Sequence, residues 1–187
     1  MLEIFSFIFN NALLIGLVFA GIFVYKQYSD LKKQQDEISS KFKERLFPYL
    51  DEKYKSYKEI IDQLKKEYVI EEIQIELGRI EKLIEPGIGG TINDYVNVSN
   101  KINKYKLNKS FDLNRFPNLA KLNEFQTFSE EEMNSYDNGL AYSRREYNTL
   151  AFRYNEKATN FPMQYLTKLL KLTVQYSIFD QVKTNTY

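Results

Sequence analysis

The chain has 187 residues, with 26 Lys and Arg against 25 Asp and Glu, and no His, Cys or Trp. Without His or Cys it lacks the usual zinc ligands, thiol nucleophiles and Ser-His or Cys-His couples. A net charge of +1 argues against a general nucleic-acid binder, which needs a basic face to displace counterions, and seven Gly with four Pro favour helices over a turn-rich β fold.

Residues 4–25 carry no charge. As a helix rising about 1.5 Å per residue they reach roughly 33 Å, the thickness of a bilayer's hydrocarbon layer. The acidic start Met1-Leu2-Glu3 and the length of the apolar run point to a retained span, since a cleaved signal has a basic start and a shorter apolar region. Lys26, Lys32, Lys33, Lys41, Lys43 and Arg45 all follow the span and none precedes it. The positive-inside rule therefore predicts an N-terminus outside and a cytoplasmic C-terminal domain.

Residues 27–46 continue as a charged helix with apolar returns at Tyr28, Leu31, Ile38, Phe42 and Leu46, and Pro48 is expected to end or kink it. From Leu50 to Ile84, apolar residues recur mostly every three or four positions, which predicts one long amphipathic helix. The run Glu85-Pro86-Gly87-Ile88-Gly89-Gly90 stops it, and Thr91 is placed to cap a third helix carrying Ile92, Tyr95, Val96, Ile102 and Tyr105. Residues 108–123, with Pro117, read as a longer connection.

Met133, Tyr136, Leu140, Ser143, Tyr147, Leu150 and Tyr154 alternate spacings of three and four. That 3.5-residue repeat belongs to helices packed at a shallow angle. Phe161-Pro162 ends the element, and residues 173–187 are expected to form a flexible tail. The predicted organisation is a short segment over 1–3, a transmembrane helix over 4–25, a helical domain over 26–172 and the tail. The fold class is all-α: an N-terminal transmembrane helix followed by an antiparallel long-helix bundle, filled largely by 15 Tyr and 14 Phe.

Two motifs are set aside. The stretch Gly87-Ile88-Gly89-Gly90-Thr91 lacks the strand and the Gly-Lys-Ser/Thr ending of a phosphate loop, so it is a turn between helices. Glu72 and Glu76 share a helix face but have no Glu-x-x-His partners for a di-iron site. No metal or cofactor is expected.

The final third resembles the LemA family of bacterial membrane-anchored helical proteins. The resemblance is carried by Phe116-Pro117-Asn118-Leu119, Asn123-Glu124-Phe125, Asp137, Leu140, Ala141, Arg144, Tyr147-Asn148, Tyr154-Asn155 and Phe161-Pro162. Their order and spacing follow the family's pattern, with Asp137 in place of its usual Glu. A fainter match covers Lys43 to Leu50 and Lys55-Ser56-Tyr57, where Lys43 and Tyr49 depart from the pattern. The resemblance implies an N-terminal anchor and a bundle of long helices.

On a helical wheel at about 100° per residue, Asp137, Arg144, Asn148 and Asn155 fall within roughly 20° of one line, with Ala141 and Ala151 beside them. This polar strip runs next to the apolar seam that contains Tyr147 and Tyr154. The structural expectation is that it bonds to neighbouring helices and sets their register, because buried polar groups require partners. The alternative is an envelope- or lipid-associated enzyme using Asp137, Arg144 and Asn148. A third reading is a homo-oligomer assembled through Gly16 and Gly21 of the span. The leading expectation is a non-enzymatic scaffold in the cell membrane, contacting the bilayer through residues 4–25 and a membrane or cytoplasmic protein through its bundle.

Overall fold

The computed structural model describes residues 2–105, 115–120, 122 and 138–180, with the backbone alone for 2–10, 103 and 138–140. Among the described residues all regular structure is helical. The helices are α1 (Leu2–Lys41), α2 (Phe47–Glu67), α3 (Glu71–Ile84), α4 (Ile92–Lys104), α5 (Asn138–Thr159) and α6 (Met163–Leu169), with a π-helical turn over Phe42–Leu46 and a 3-10 turn over Glu85–Gly87. By internal contacts the chain divides into two compact units, Met1–Glu37 with Arg153–Gln175 and Ile38–Phe152 with Tyr176–Tyr187.

In the first unit, α1 is long and apolar enough to cross a membrane. Its residues 11–26 are exposed throughout, with Leu14, Leu17 and Phe19 about two-thirds accessible at 63%, 66% and 67%. Burial begins further along, at Leu31. Among the described residues, Tyr154, Asn155, Ala158, Met163, Thr167 and Leu172 complete this unit's buried set. The Tyr154 hydroxyl donates to the Thr173 carbonyl at 2.6 Å. Lys157 pairs with Asp30, and this hydrogen bond, more than any other influence, holds the Asp30 carboxyl below its ordinary value.

The second unit shows how Pro48 is accommodated. Its ring would clash with the carbonyl four residues back, and it has no N–H to donate. A wider turn forms instead: the Phe47 N–H donates to the Phe42 carbonyl, five residues back, and Pro48 then sits in the first turn of α2. The helix is therefore reset rather than ended, and Ile38, Phe42, Leu46 and Leu50 remain buried along it.

The single helix expected from Leu50 to Ile84 is two helices, broken at residues 68–70. Tyr68 and Ile70 are extended, and the Gln74 amide donates to the Lys65 carbonyl at 2.8 Å and to the Tyr68 carbonyl. Those bonds satisfy acceptors at the end of α2 that no further helical turn reaches. Lys65 and Glu81 then join the two helices with a 2.5 Å ion pair. Glu76 is buried on α3, where it bonds the Tyr105 hydroxyl and the Arg79 guanidinium.

Between α3 and α4 the glycines have separate physical reasons. A Cβ on Gly87 would lie 2.7 Å from the Tyr54 ring, and one on Gly90 would lie 2.2 Å from the Pro86 carbonyl oxygen. Gly89 has φ +69°, a left-handed conformation that glycine adopts freely. Thr91 caps α4 as expected, in a reciprocal box with Asp94.

Aromatic rings fill much of the core. Tyr54 stacks on Tyr95 with centroids 5.7 Å apart, and Phe42 meets Tyr147 at 5.7 Å and Tyr95 at 6.0 Å. On α5 the buried residues are Ser143, Arg144, Tyr147, Ala151, Tyr154, Asn155 and Ala158. Arg144 and Asn155 of the polar strip thus share one buried arc with Ser143, Tyr147 and Tyr154 of the apolar seam, centred nearer Ala151 than the half-buried Leu150.

The flexible tail expected from residue 173 is not what residues 173–180 form. Tyr176 and Phe179 are buried in the second unit, 4% and 2% exposed. Two rings removed from water offset the entropy of ordering an otherwise polar stretch. Residues 181–187 lie outside the described residues.

Candidate functional site

Residues 176–180, which form no helix, lie between α4 and α5, and the side chains that hold them come from both helices. On α4, Asn93 and Asn100 are seven residues apart and so share a face. On α5, Arg144, Tyr147 and Asn148 have the three- and four-residue spacings that align side chains.

Side chains of both helices bond the backbone of this C-terminal stretch. The Ser177 N–H donates to Asn93 Oδ1 at 2.7 Å. Asn100 Nδ2 donates to the Ile178 carbonyl at 2.8 Å, while its Oδ1 accepts the Asp180 N–H at 2.9 Å. Asn148 grips the residue between: its Nδ2 donates to the Phe179 carbonyl and its Oδ1 accepts the Phe179 N–H, both at 2.9 Å. The Tyr147 hydroxyl donates to the Ser177 carbonyl at 2.9 Å. Side-chain amides and a phenol take the place of a neighbouring strand.

Two side chains of the stretch occupy shaped positions. The Phe179 ring meets Tyr147 edge-on with centroids 5.4 Å apart. The Arg144 guanidinium lies 4.8 Å from the centre of that ring, within range of cation–π attraction. Asp180 pairs with Lys104 at 2.7 Å, and Arg144 Nη2 reaches the Asp180 carbonyl at 3.4 Å. Burial pushes the Arg144 guanidinium below the usual arginine value, opposed by Tyr49, Tyr54 and Asp180. Arginine's ordinary value is so high that Arg144 stays cationic at neutral pH. Burial also raises the Tyr147 phenol, which remains a neutral donor.

A second feature of this unit is a cleft of about 330 Å³ lined by Phe42, Lys43, Phe47, Gly90, Ile92 and Tyr95. Below it, Tyr54 donates to the Tyr95 carbonyl at 2.7 Å, and the Tyr95 hydroxyl donates to Asp51 at 2.8 Å while accepting from the Gly89 N–H at 3.2 Å. Lys55 and then Tyr95 hold the Asp51 carboxyl below its ordinary value, so it acts as a charged acceptor. The network braces the glycine turn against α2.

The strip expected from the sequence is divided between the two units. Arg144, Tyr147 and Asn148 belong to the groove, where they bond the backbone of residues 177–180, and the Tyr147 ring also meets Phe42. Tyr154 and Asn155 lie in the first unit, both buried. Phe161 is 80% exposed with its ring against Tyr165, and Pro162, joined to Phe161 by a cis peptide bond, precedes α6. Asp137 lies outside the described residues. Sequence reasoning missed Asn93, Asn100, Tyr176, Phe179 and Asp180. Two asparagines one heptad apart on a short helix, and two aromatics in a polar terminal stretch, were the available signals.

Comparison with family models, with curated proteins and with solved structures finds no match to this chain.

Proposed function

We propose that the protein is a single-pass, non-enzymatic membrane scaffold of the LemA type, which holds an antiparallel helical bundle at the cytoplasmic face of the cell membrane and offers it to partner proteins. The observation that carries this reading is the bare apolar surface of α1. Leu13, Leu14, Ile15, Leu17, Val18 and Phe19 are each at least 53% exposed. An uncovered apolar cylinder of that length is stable in lipid and strongly unfavourable in water.

The groove supports the scaffold over the enzyme reading. Arg144 and Asn148, which a catalytic strip would need free, are engaged with protein backbone. The basic residues that follow α1's apolar part support cytoplasmic placement of the bundle. Tethering confines the bundle to a surface and raises its effective concentration toward other membrane partners.

Fractionation of cells expressing the full chain tests the anchor. The protein is expected in the membrane pellet after alkaline carbonate washing and to be released only by detergent; recovery of the intact chain in the washed supernatant overturns the reading. Protease added to sealed right-side-out vesicles is expected to spare the bundle, and its digestion from outside reverses the orientation.

A further inference from the structure

We propose that the groove between α4 and α5 is a receptor for an extended strand of a partner protein, carrying an aromatic residue followed by an acidic one, and that residues 176–180 are its built-in occupant. The inference rests on reading the bundle as a binding module and specifies what it binds.

The hydrogen bonds are the first argument. Those described above reach the stretch from side chains, so it is held as a guest strand and not through a helical or sheet ladder. Asn100 and Asn148 engage alternate residues from opposite sides, reading one N–H and one carbonyl apiece. Such bonds depend on extended backbone and register, not on the identity of the ligand's side chains; main-chain recognition of this kind supplies affinity, and pockets supply selectivity.

The pockets are the second argument. The Phe179 ring fills the slot between Tyr147 and the Arg144 guanidinium, a planar cation that favours aromatic faces. The next residue meets the Lys104 ammonium. Ile178, between the two amide clamps, is 37% exposed, so the groove places little demand on that position. The chemistry selected is therefore aromatic–acidic in an extended chain.

The occupant is a partner protein and not a second copy. An identical segment from another chain offers no contact that the tethered one lacks, and the tethered one has the advantage of effective concentration, in the millimolar range for short flexible links. Only a strand that fits better gains from displacement.

The test uses the full chain in detergent micelles and a fluorescent peptide with the sequence of residues 175–181. Unaltered protein is compared with F179A/D180A, which loosens the built-in occupant, by fluorescence anisotropy. The loosened chain is expected to bind the peptide at least tenfold more tightly than the unaltered chain. Adding Asn148→Leu is expected to remove that binding, and a peptide with its Phe replaced by Ala is expected to bind at least tenfold more weakly. Equal binding by the two chains, or binding that survives Asn148→Leu, overturns the proposal. Loss of the helical circular dichroism spectrum in F179A/D180A also overturns it, because the stretch is then an integral part of the core. Concentration-dependent dimers of the unaltered chain that vanish in F179A/D180A assign the groove to self-exchange and overturn the partner. Carbonate-resistant sedimentation is read separately, so a groove that fails on a chain that still sediments with membranes refutes this inference and leaves the anchor standing.

Discussion

Asn148 and Phe179 are joined through a single carboxamide that meets both backbone groups of the residue it holds, each at 2.9 Å. A helix side chain thereby performs the pairing that a β-strand neighbour usually provides, and it does so at the best-buried residue of the C-terminal stretch.

Asn148→Ala removes both bonds and leaves the Phe179 N–H and carbonyl without that partner. A buried polar group stripped of its bond costs about 1–3 kcal/mol, so the expected loss of stability is about 2 kcal/mol or more. Urea unfolding followed by circular dichroism should show a lowered midpoint, and hydrogen exchange should speed up over residues 176–180. An unchanged midpoint contradicts the role given to Asn148.

The glycines predict opposite signs. Gly90→Ala places a methyl group 2.2 Å from the Pro86 carbonyl oxygen and 2.8 Å from the Asp94 Cβ, which the turn meets only by moving backbone. The expected cost is about 2 kcal/mol or more, in the range of overpacked sites. Gly78→Ala lies inside α3 with nothing within 4 Å of the added carbon. It should stabilise by about 0.5–1 kcal/mol through helix propensity. Thermal melts of the two variants should move in opposite directions.

Acid sensitivity follows from two aspartates. The Thr91 hydroxyl and backbone N–H hold Asp94 below its ordinary value of 3.8. Lys55 first, and Tyr95 second, do the same for Asp51. Each carboxyl has a folded pKa below its unfolded one, so its stabilisation is fully present above the unfolded value and disappears as pH falls through the folded value. Unfolding midpoints should stay level from neutral pH to about pH 5 and decline below about pH 4. Asp94→Asn should lower the plateau and flatten the decline; an unaltered acid limb removes Asp94 from this account. Thr91→Ala, which breaks the same cap, should cost about 1 kcal/mol.

Charge placed in the middle of the bare segment tests the anchor. Leu17→Lys together with Val18→Lys adds two ammonium groups to positions now 66% and 53% exposed. Each costs about 2.5–3.5 kcal/mol at the centre of a membrane helix. The variant should shift from the washed membrane pellet to the soluble or aggregated fraction, while a Leu17→Ile control stays in the pellet.

Much of this architecture was readable from residue spacing. The apolar α1, the Thr91 cap, the glycine turn and the aromatic filling follow from local rules that depend on neighbours three or four residues away. The break at residues 68–70 was also present, as a five-residue step from Tyr68 to Ile73 within a run of threes and fours, beside the β-branched Val69 and Ile70. The π-helical turn was half-legible: Pro48 marks trouble in the helix, but whether the chain stops or widens depends on Phe42 and Leu46 having a core to stay in. The groove was the least legible. Wheel geometry placed Arg144, Tyr147 and Asn148 close together on the helix, yet their partners come from about 30 residues further along the chain. No period in the sequence links an asparagine on a helix to the backbone of a distant extended stretch.

The carboxamides of Asn93, Asn100 and Asn148 carry no charge and neither gain nor lose protons in the range a cell experiences. Their grip on the terminal stretch is accordingly indifferent to acidity, and ionic strength acts on the charged contacts supplied by Arg144, Lys104 and Asp180. Whatever vacates that channel must compete for its shape, because altering the surrounding medium leaves the amide part of the latch closed.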